Sequence, residues 1–146
     1  MLCLLHHADA VDALLDPQRP LSEVGRAHAD RIAARAQARG LKPDVIWHSG
    51  KLRARQTAEA LWRHCNPLAE FSAARGLQPD DPPEWIRDVV TMDPRLIVLV
   101  GHLPHLPRLY RLLIGERSEP LAAFPLHGLV ALVQEHESWV ESWREV

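Results

Sequence analysis

The stretch that decides the fold is Leu2-Cys3-Leu4-Leu5-His6-His7, a short continuous apolar run that ends in two histidines. An uninterrupted apolar run of this length is typical of a strand buried on both faces, as in the parallel sheets of α/β proteins. Two later runs have the same form: Val45-Ile46-Trp47, which leads into His48-Ser49, and Leu96 to Val100, which leads into Gly101-His102. A helical pattern follows each, so the sequence predicts a repeated strand–loop–helix unit.

Helices and late strands complete this pattern. Ser22 is a suitable N-cap for a helix that ends at Gly40. The segment from Phe71 to Pro83 is rich in Pro, Asp and Gly and is predicted to be a loop. The remaining predicted elements are helices from Leu52 to Trp62, Glu84 to Val90 and Leu106 to Leu113, and strands from Leu126 to Val133 and Trp139 to Trp143, the last at a sheet edge. The fold class is therefore α/β, with three α/β/α layers around a mixed, mainly parallel sheet.

The composition is that of a globular protein that folds alone. Hydrophobic residues make up 47% and charged residues 25% of the 146 positions, which suits one domain over residues 1–146. The formal net charge of −2 argues against a nucleic-acid partner. Cys3 and Cys65 lack the spacing of a disulfide framework, and no signal peptide or membrane span is predicted. We therefore expect a cytoplasmic protein without a membrane partner and, because no dimer seam stands out, a monomer.

Polar residues follow three of the predicted strands. They are His6-His7 after the first, His48-Ser49 leading to Arg53 after the second, and Gly101-His102 after the third. In an α/β sheet, ligands bind beyond the carboxyl ends of the strands, where loops and helix N-termini meet. Taken alone, each of these residues is better explained as a solvated or capping residue. Their joint occurrence at three strand ends is better explained by a binding site. Imidazoles with a guanidinium suit a tetrahedral oxyanion and predict phosphoryl transfer.

These residues carry a resemblance to a family that covers almost the whole chain. The stretch from Leu4 to Ala10 resembles the Arg-His-Gly/Ala signature of the histidine phosphatase superfamily, and Arg19-Pro20-Leu21-Ser22 resembles the element that follows it. Residues 49–58, Ser-Gly-Lys-Leu-Arg-Ala-Arg-Gln-Thr-Ala, resemble its second motif, and residues 100–104, Val-Gly-His-Leu-Pro, resemble its third. The short chain is most similar to the SixA-type phosphohistidine phosphatases, which implies a phosphoglycerate mutase-like fold.

The resemblance also implies roles for individual residues. His7 would be the nucleophile that is transiently phosphorylated, and Arg53 and His102 would bind the phosphoryl oxygens. The residue before the nucleophile is normally arginine, whereas this chain has His6. Because an imidazole replaces a guanidinium fully only when it is protonated, we expect either a rate that rises toward mildly acidic pH or a weakened enzyme. Arg19 could supply compensating charge to the phosphate.

A general acid is the least defined role. Larger members of the superfamily use an acidic residue to protonate the leaving oxygen, and Asp80 and Asp81 are the acidic pair in the corresponding stretch. The sequence Asp80-Asp81-Pro82-Pro83 is also typical of a turn. A phosphohistidine leaves easily once its imidazole is protonated, so the weak signal for an acid mildly favours phosphohistidine over sugar phosphates.

No cofactor or metal is predicted. His102-Leu103-Pro104-His105 invites a metal site, but Pro104 breaks the helical geometry that would align the two histidines, and no carboxylate completes a known spacing. The other histidines are predicted to lie in loops or on the surface without a role, except that His127 opens a late strand and could border the pocket.

The leading hypothesis is a metal-independent phosphatase that acts on phosphohistidine in a signalling or phosphotransfer protein. A first alternative is a phosphatase of the same mechanism for a small phosphate ester, although the short chain leaves little material for a lid over a small substrate. A second alternative is a catalytically weak phosphate-binding regulatory module, because His6 replaces the usual arginine.

Overall fold

The computed structural model describes residues 1–115 and 123–146. Four helices and six strands follow one another along the chain: β1 Leu2–His6, α1 Glu23–Ala38, β2 Val45–His48, α2 Leu52–Cys65, β3 Glu70–Ala73, α3 Pro83–Met92, β4 Ile97–Gly101, α4 His105–Ile114, β5 Leu129–Glu135 and β6 Ser138–Glu145. No helix in the described ranges has the length and apolar character that a membrane crossing needs.

The six strands form one sheet in the order β3-β2-β4-β1-β5-β6. Strands β3, β2, β4 and β1 pair in parallel, and β5 and β6 add two antiparallel pairings. The predicted mixed, mainly parallel sheet is confirmed. The first strand lies in the interior of the sheet between β4 and β5, and all five of its residues are buried.

The sheet separates two apolar cores. Alternate residues of β1 serve different faces: Cys3 and Leu5 pack with α1 and α2, whereas Leu2 and Leu4 pack with α3 and α4. Ile32 of α1 and Leu61 of α2 are buried in the first core. Ile86 of α3 and Leu106 of α4 are buried in the second. Helices therefore cover both faces, which confirms the three-layer α/β/α arrangement.

The structure corrects the predicted loop from Phe71 to Pro83. Residues Glu70–Ala73 form β3, which pairs in parallel with β2 at the edge of the sheet. Its side chains are exposed or half-buried, so it has no continuous apolar run by which to detect it. The predicted late strand also begins later, at Leu129, because Pro125 to Gly128 form a turn in which the Gly128 amide donates to the Pro125 carbonyl at 3.2 Å.

The edge strand β6 changes face along its length. Its register with β5 shifts between Ala131 and Leu132, which marks a β-bulge. As a result Trp139 packs in the core beneath α3 and α4, whereas Trp143 packs against the core beneath α1 and α2. The alternation of Trp139, Glu141 and Trp143 correctly predicted an edge strand, but the bulge places the two tryptophans on opposite faces.

The long connection between β1 and α1 is held in place by side chains of α2 and by the cap of α1. The Ala8 amide donates to Thr57 Oγ1 at 3.0 Å, and the Leu21 amide donates to Gln56 Oε1 at 2.7 Å. Ser22 caps α1 by accepting from the Gly25 amide, as predicted. The connection is therefore fixed directly beside the end of β1.

Gly25 permits the close approach of α1 to this connection. A Cβ at this position would lie 2.0 Å from the carbonyl oxygen of Asp9. We predict that Gly25→Ala destabilises the protein by about 1–3 kcal/mol, even though alanine favours helix, because the clash involves backbone. Denaturant unfolding should show this loss, whereas Ala27→Gly on the exposed face of α1 should cost only about 1 kcal/mol. A stabilised Gly25→Ala variant would contradict this packing.

Candidate active site

Three strand ends meet at the carboxyl edge of the sheet. β1 ends at His6, β2 at His48 and β4 at Gly101. The His7 and His102 rings lie 5.0 Å apart between centroids, and Arg53 Nε lies 3.3 Å from His7 Nε2. The three residues predicted as the core of the site are thus brought together by the sheet and by the first turn of α2.

The His7 ring has a defined tautomer. Its Nδ1 lies 2.7 Å from the carbonyl oxygen of Ala8, and a carbonyl can only accept, so Nδ1 carries the proton. The lone pair of the neutral ring is then on Nε2, where it accepts from Arg53 Nε. Burial lowers the pKa of His7 to about 4, and the Arg53 charge adds to this effect. At neutral pH, His7 is therefore a neutral imidazole whose Nε2 is an unprotonated base.

Arg53 and Arg19 supply permanent positive charge beside this nitrogen. Arg53 is held in the first turn of α2, where Thr57 Oγ1 donates to its carbonyl and so links it to the end of β1. Arg19 has a left-handed backbone at φ 49° and donates from Nε to the Val11 carbonyl. Its charge adds to burial in lowering the pKa of Arg53 and also contributes to lowering the pKa of His7, so Arg19 lies near both groups.

His102 is buried and only partly satisfied. Its Nε2 lies 2.6 Å from Ser49 Oγ, while its Nδ1 is buried without a hydrogen-bond partner among the described residues. Burial lowers the pKa of His102 to about 3, with further contributions from His7, Arg53 and Lys51. A neutral imidazole with one nitrogen unsatisfied is suited to a ligand that brings its own hydrogen-bonding groups.

His6 is a neutral imidazole in this site. Its Nδ1 accepts from the His127 amide at 2.8 Å, which leaves the proton of the neutral ring on Nε2. Burial, followed by the charges of neighbouring His7 and His127, lowers the pKa of His6 to about 3. Of the two predicted consequences of His6, this low pKa favours a weakened enzyme over a rate that rises toward mildly acidic pH. His6 can act as a neutral Nε2 donor only.

His127 joins the site from the turn before β5. Its Nδ1 lies 2.6 Å from the His7 carbonyl oxygen and must donate to it, and its ring stacks on His6 with centroids 4.9 Å apart. Its backbone is left-handed at φ 54°. The sequence indicated that His127 opens a late strand and could border the pocket, but no pattern along the chain shows its contacts with His6 and His7.

The predicted acidic pair does not join this group. One Asp81 carboxylate oxygen accepts from the Gln78 amide, and Asp80 is exposed. In the described parts of the chain, no hydrogen bond or ion pair links either aspartate to His7, Arg53 or His102. The loop that carries them approaches the site instead through Gln78, whose amide donates to the Ser49 carbonyl at 2.6 Å, a contact without a sequence signal.

Two histidines predicted as surface or loop residues without a role, His28 and His48, are less exposed than expected. His48 is buried at the end of β2, where its Nδ1 accepts from the Gly50 amide, and His28 is half-buried with its ring 6.2 Å from that of His127. His105, at the start of α4, is fully buried with both ring nitrogens unpaired in the described structure.

The arrangement combines a nitrogen lone pair, two guanidiniums and neutral imidazole donors around one space. Such a set can hold a tetrahedral oxyanion and present His7 Nε2 to its central atom. It offers no carboxylate general base or acid among its described members.

The ring tautomers are directly testable. We predict that His7 is protonated on Nδ1 and His6 on Nε2, and that both stay neutral from neutral pH down to about pH 5, because their pKa values are about 4 and about 3. Long-range ¹H–¹⁵N NMR correlations across a pH titration measure both properties. A His6 ring that titrates near its ordinary value of about 6.5 would contradict the acceptor role of Nδ1.

Comparisons with known proteins agree with this geometry. The model of the histidine phosphatase superfamily (branch 1) matches residues 12–78. The solved structure of a SixA protein from Agrobacterium tumefaciens is 28% identical and has a TM-score of 0.83, with 99% of this chain and 96% of that chain covered. No curated protein sequence matches the chain.

Two further solved structures share the fold at lower identity. The protein histidine phosphatase SixA in complex with tungstate is 19% identical, with a TM-score of 0.84 over 98% of this chain and 94% of that one. The mycobacterial glucosyl-3-phosphoglycerate phosphatase is 17% identical, with a TM-score of 0.73 over 97% and 96% of the two chains. Members of the matched superfamily are phosphatases, which supports a phosphatase here. The chain therefore resembles the histidine phosphatase superfamily over residues 12–78 and has the phosphoglycerate mutase-like fold of the SixA-type structures.

Proposed function

We propose that the protein is a phosphohistidine phosphatase that acts on a signalling or phosphotransfer protein through a phosphorylated His7. The observation that carries this proposal is the His7 ring itself: Nδ1 is fixed to the Ala8 carbonyl, and the Nε2 lone pair faces the Arg53 guanidinium. A phosphoryl group bound by that guanidinium would have its phosphorus atom within reach of Nε2.

The other residues of the site have supporting roles in this proposal. Arg53 and Arg19 neutralise the charge of the phosphoryl oxygens, and His102 and the Nε2–H of His6 donate hydrogen bonds to them. Arg53 Nε exchanges its bond to His7 for a bond to the phosphoryl oxygen, which frees the lone pair for attack. Asp80 and Asp81 have no part in this scheme, because neither contacts these residues in the described structure.

The reaction would proceed in two displacements at phosphorus. His7 Nε2 forms a bond to phosphorus while the bond to the substrate imidazole nitrogen breaks, and that nitrogen gains a proton from solvent. Water then attacks the phosphorus of phosphorylated His7 and loses a proton, the P–N bond breaks, and Nε2 regains its lone pair as inorganic phosphate leaves. Neither displacement requires a metal in this proposal.

Two features favour phosphohistidine over a small phosphate ester. An alkoxide leaving group needs a general acid, and in the described structure no carboxylate hydrogen-bonds to the His7 ring or contributes to its pKa shift. The connections β2–α2 and β4–α4 are short, spanning 49–51 and 102–104, and His7 is half-exposed. With short connections after β2 and β4, the half-exposed His7 is accessible to a histidine on the surface of another folded protein.

The first test compares wild type with His7→Ala on a phosphohistidine protein and on an aryl phosphate. We expect phosphate release from both in wild type, with kcat/KM higher for the phosphohistidine protein, and loss of about a thousandfold or more without the nucleophile. His136→Asn, an exposed histidine outside the site, serves as control and should keep full activity. Faster turnover of the aryl phosphate would favour the small-ester alternative.

The same assay distinguishes the regulatory alternative. A wild type that binds phosphate but releases none from either substrate between about pH 5 and 8 would show a binding module, and phosphorylated His7 would then not form. Mass spectrometry of acid-labile phosphate on the chain during turnover measures the intermediate directly.

A second prediction concerns the missing guanidinium. We expect His6→Arg to raise kcat/KM by about tenfold to a hundredfold, because it adds a permanent charge where a neutral imidazole donates a single hydrogen bond. His6→Gln keeps a neutral donor of similar reach and should show no such gain. Equal rates for wild type and His6→Arg, with folding intact, would mean that the existing guanidiniums already supply the charge that the reaction needs.

A further inference from the structure

Three imidazoles form a cluster around the carboxyl end of β1. His6, His7 and His127 each present a ring nitrogen, and these nitrogens all lie within 4.8 Å of one another. We propose that this cluster is a reversible Zn²⁺ site and that zinc bound there inhibits the phosphatase. The binding site stands on geometry alone, whereas the inhibition rests on the proposed function of His7.

Two of the rings have the tautomer that a metal ligand needs. The Nδ1 protons of His7 and His127 are donated to the carbonyl oxygens of Ala8 and His7, at 2.7 and 2.6 Å. Both neutral rings therefore keep a lone pair on Nε2. A backbone carbonyl on the opposite nitrogen is the usual second contact of a zinc-ligating histidine, since it fixes both the tautomer and the ring orientation.

The His6 ring can become the third zinc ligand only by losing a hydrogen bond. His6 stacks on His127 with an interplanar angle of 6°, but its Nδ1 accepts from the His127 amide. To offer Nε2 as a ligand, His6 must transfer its proton to Nδ1 and give up that hydrogen bond. The guanidiniums of Arg53 and Arg19 also repel a second cation beside His7. We therefore expect moderate, reversible affinity.

Imidazole nitrogens select the type of ion. They suit Zn²⁺, whereas Mg²⁺ prefers oxygen ligands in octahedral geometry. Zinc bound to His7 Nε2 would occupy the lone pair that attacks phosphorus and would displace the Arg53 hydrogen bond. Zinc and phosphorylation of His7 would therefore exclude each other.

The sequence could not indicate this site. It singled out His102 and His105, which are close in the chain, as the metal alternative, whereas the cluster joins residues 6 and 7 to residue 127. The backbone of β1 and the turn before β5 bring these side chains together: the His6 amide donates to the Gly128 carbonyl at 3.0 Å.

Isothermal titration of the untagged protein with zinc chloride, compared with magnesium chloride, tests the site without relying on activity. We expect one zinc per chain at the cluster, no magnesium, and at least tenfold weaker zinc binding in His127→Asn. Asparagine tolerates the left-handed backbone of residue 127 and can still donate to the His7 carbonyl, so the fold should persist. His136→Asn is the matched control, because it removes an exposed histidine from another left-handed position.

The outcomes separate the two parts of the proposal. Wild-type zinc binding that His136→Asn leaves unchanged and that both His127→Asn and His6→Gln weaken supports the site. No binding, or equal binding in all variants, overturns it. Inhibition of phosphate release by zinc, reversed by a chelator and diminished in His127→Asn relative to its own zinc-free rate, supports the inhibitory role, and activation by zinc overturns it. Zinc binding to a chain without phosphatase activity would uphold the site while rejecting the proposed function.

Discussion

The parallel pairing of β1 with β4, and of β4 with β2, is the constraint on which the site depends. Parallel strands end at the same edge of a sheet, so these pairings bring His7, His102 and the start of α2 to one place. The register joins His6 to Gly101 across the strands, and the His7 amide continues it by donating to the Gly101 carbonyl. A different strand order would leave the same residues far apart.

Charge in this site is divided between permanent cations and neutral imidazoles. Burial lowers the pKa values of His6, His7 and His102, so their rings offer lone pairs or single hydrogen-bond donors at neutral pH. In the proposed function, the positive charge that an oxyanion needs would come from the guanidiniums of Arg53 and Arg19. In the proposed function, this division would let His7 act as the nucleophile while its neighbours bind the same anion. It also makes the cluster of His6, His7 and His127 chemically suitable for a transition metal.

The sequence predicted most of the architecture because apolar periodicity is a local property. The buried strands β1, β2 and β4, the four helices and the Ser22 cap were all indicated by runs or spacings along the chain. Strand β3 was missed, because a half-exposed edge strand is stabilised by pairing with β2 and not by its own apolar residues. The β6 bulge was missed for a related reason, since register is a property of two strands and not of one.

For the site, the sequence by itself determined the fold class and the residue types at three strand ends: the nucleophile candidate His7, with Arg53 and His102. The tertiary structure alone decided the state of each side chain. It fixed the His7 tautomer through the Ala8 carbonyl, held His6 neutral through the His127 amide, and placed Asp81 on Gln78 instead of in the site. Protonation and hydrogen bonding depend on burial and on neighbours distant in the chain, and neither is encoded in the spacing of residues along it.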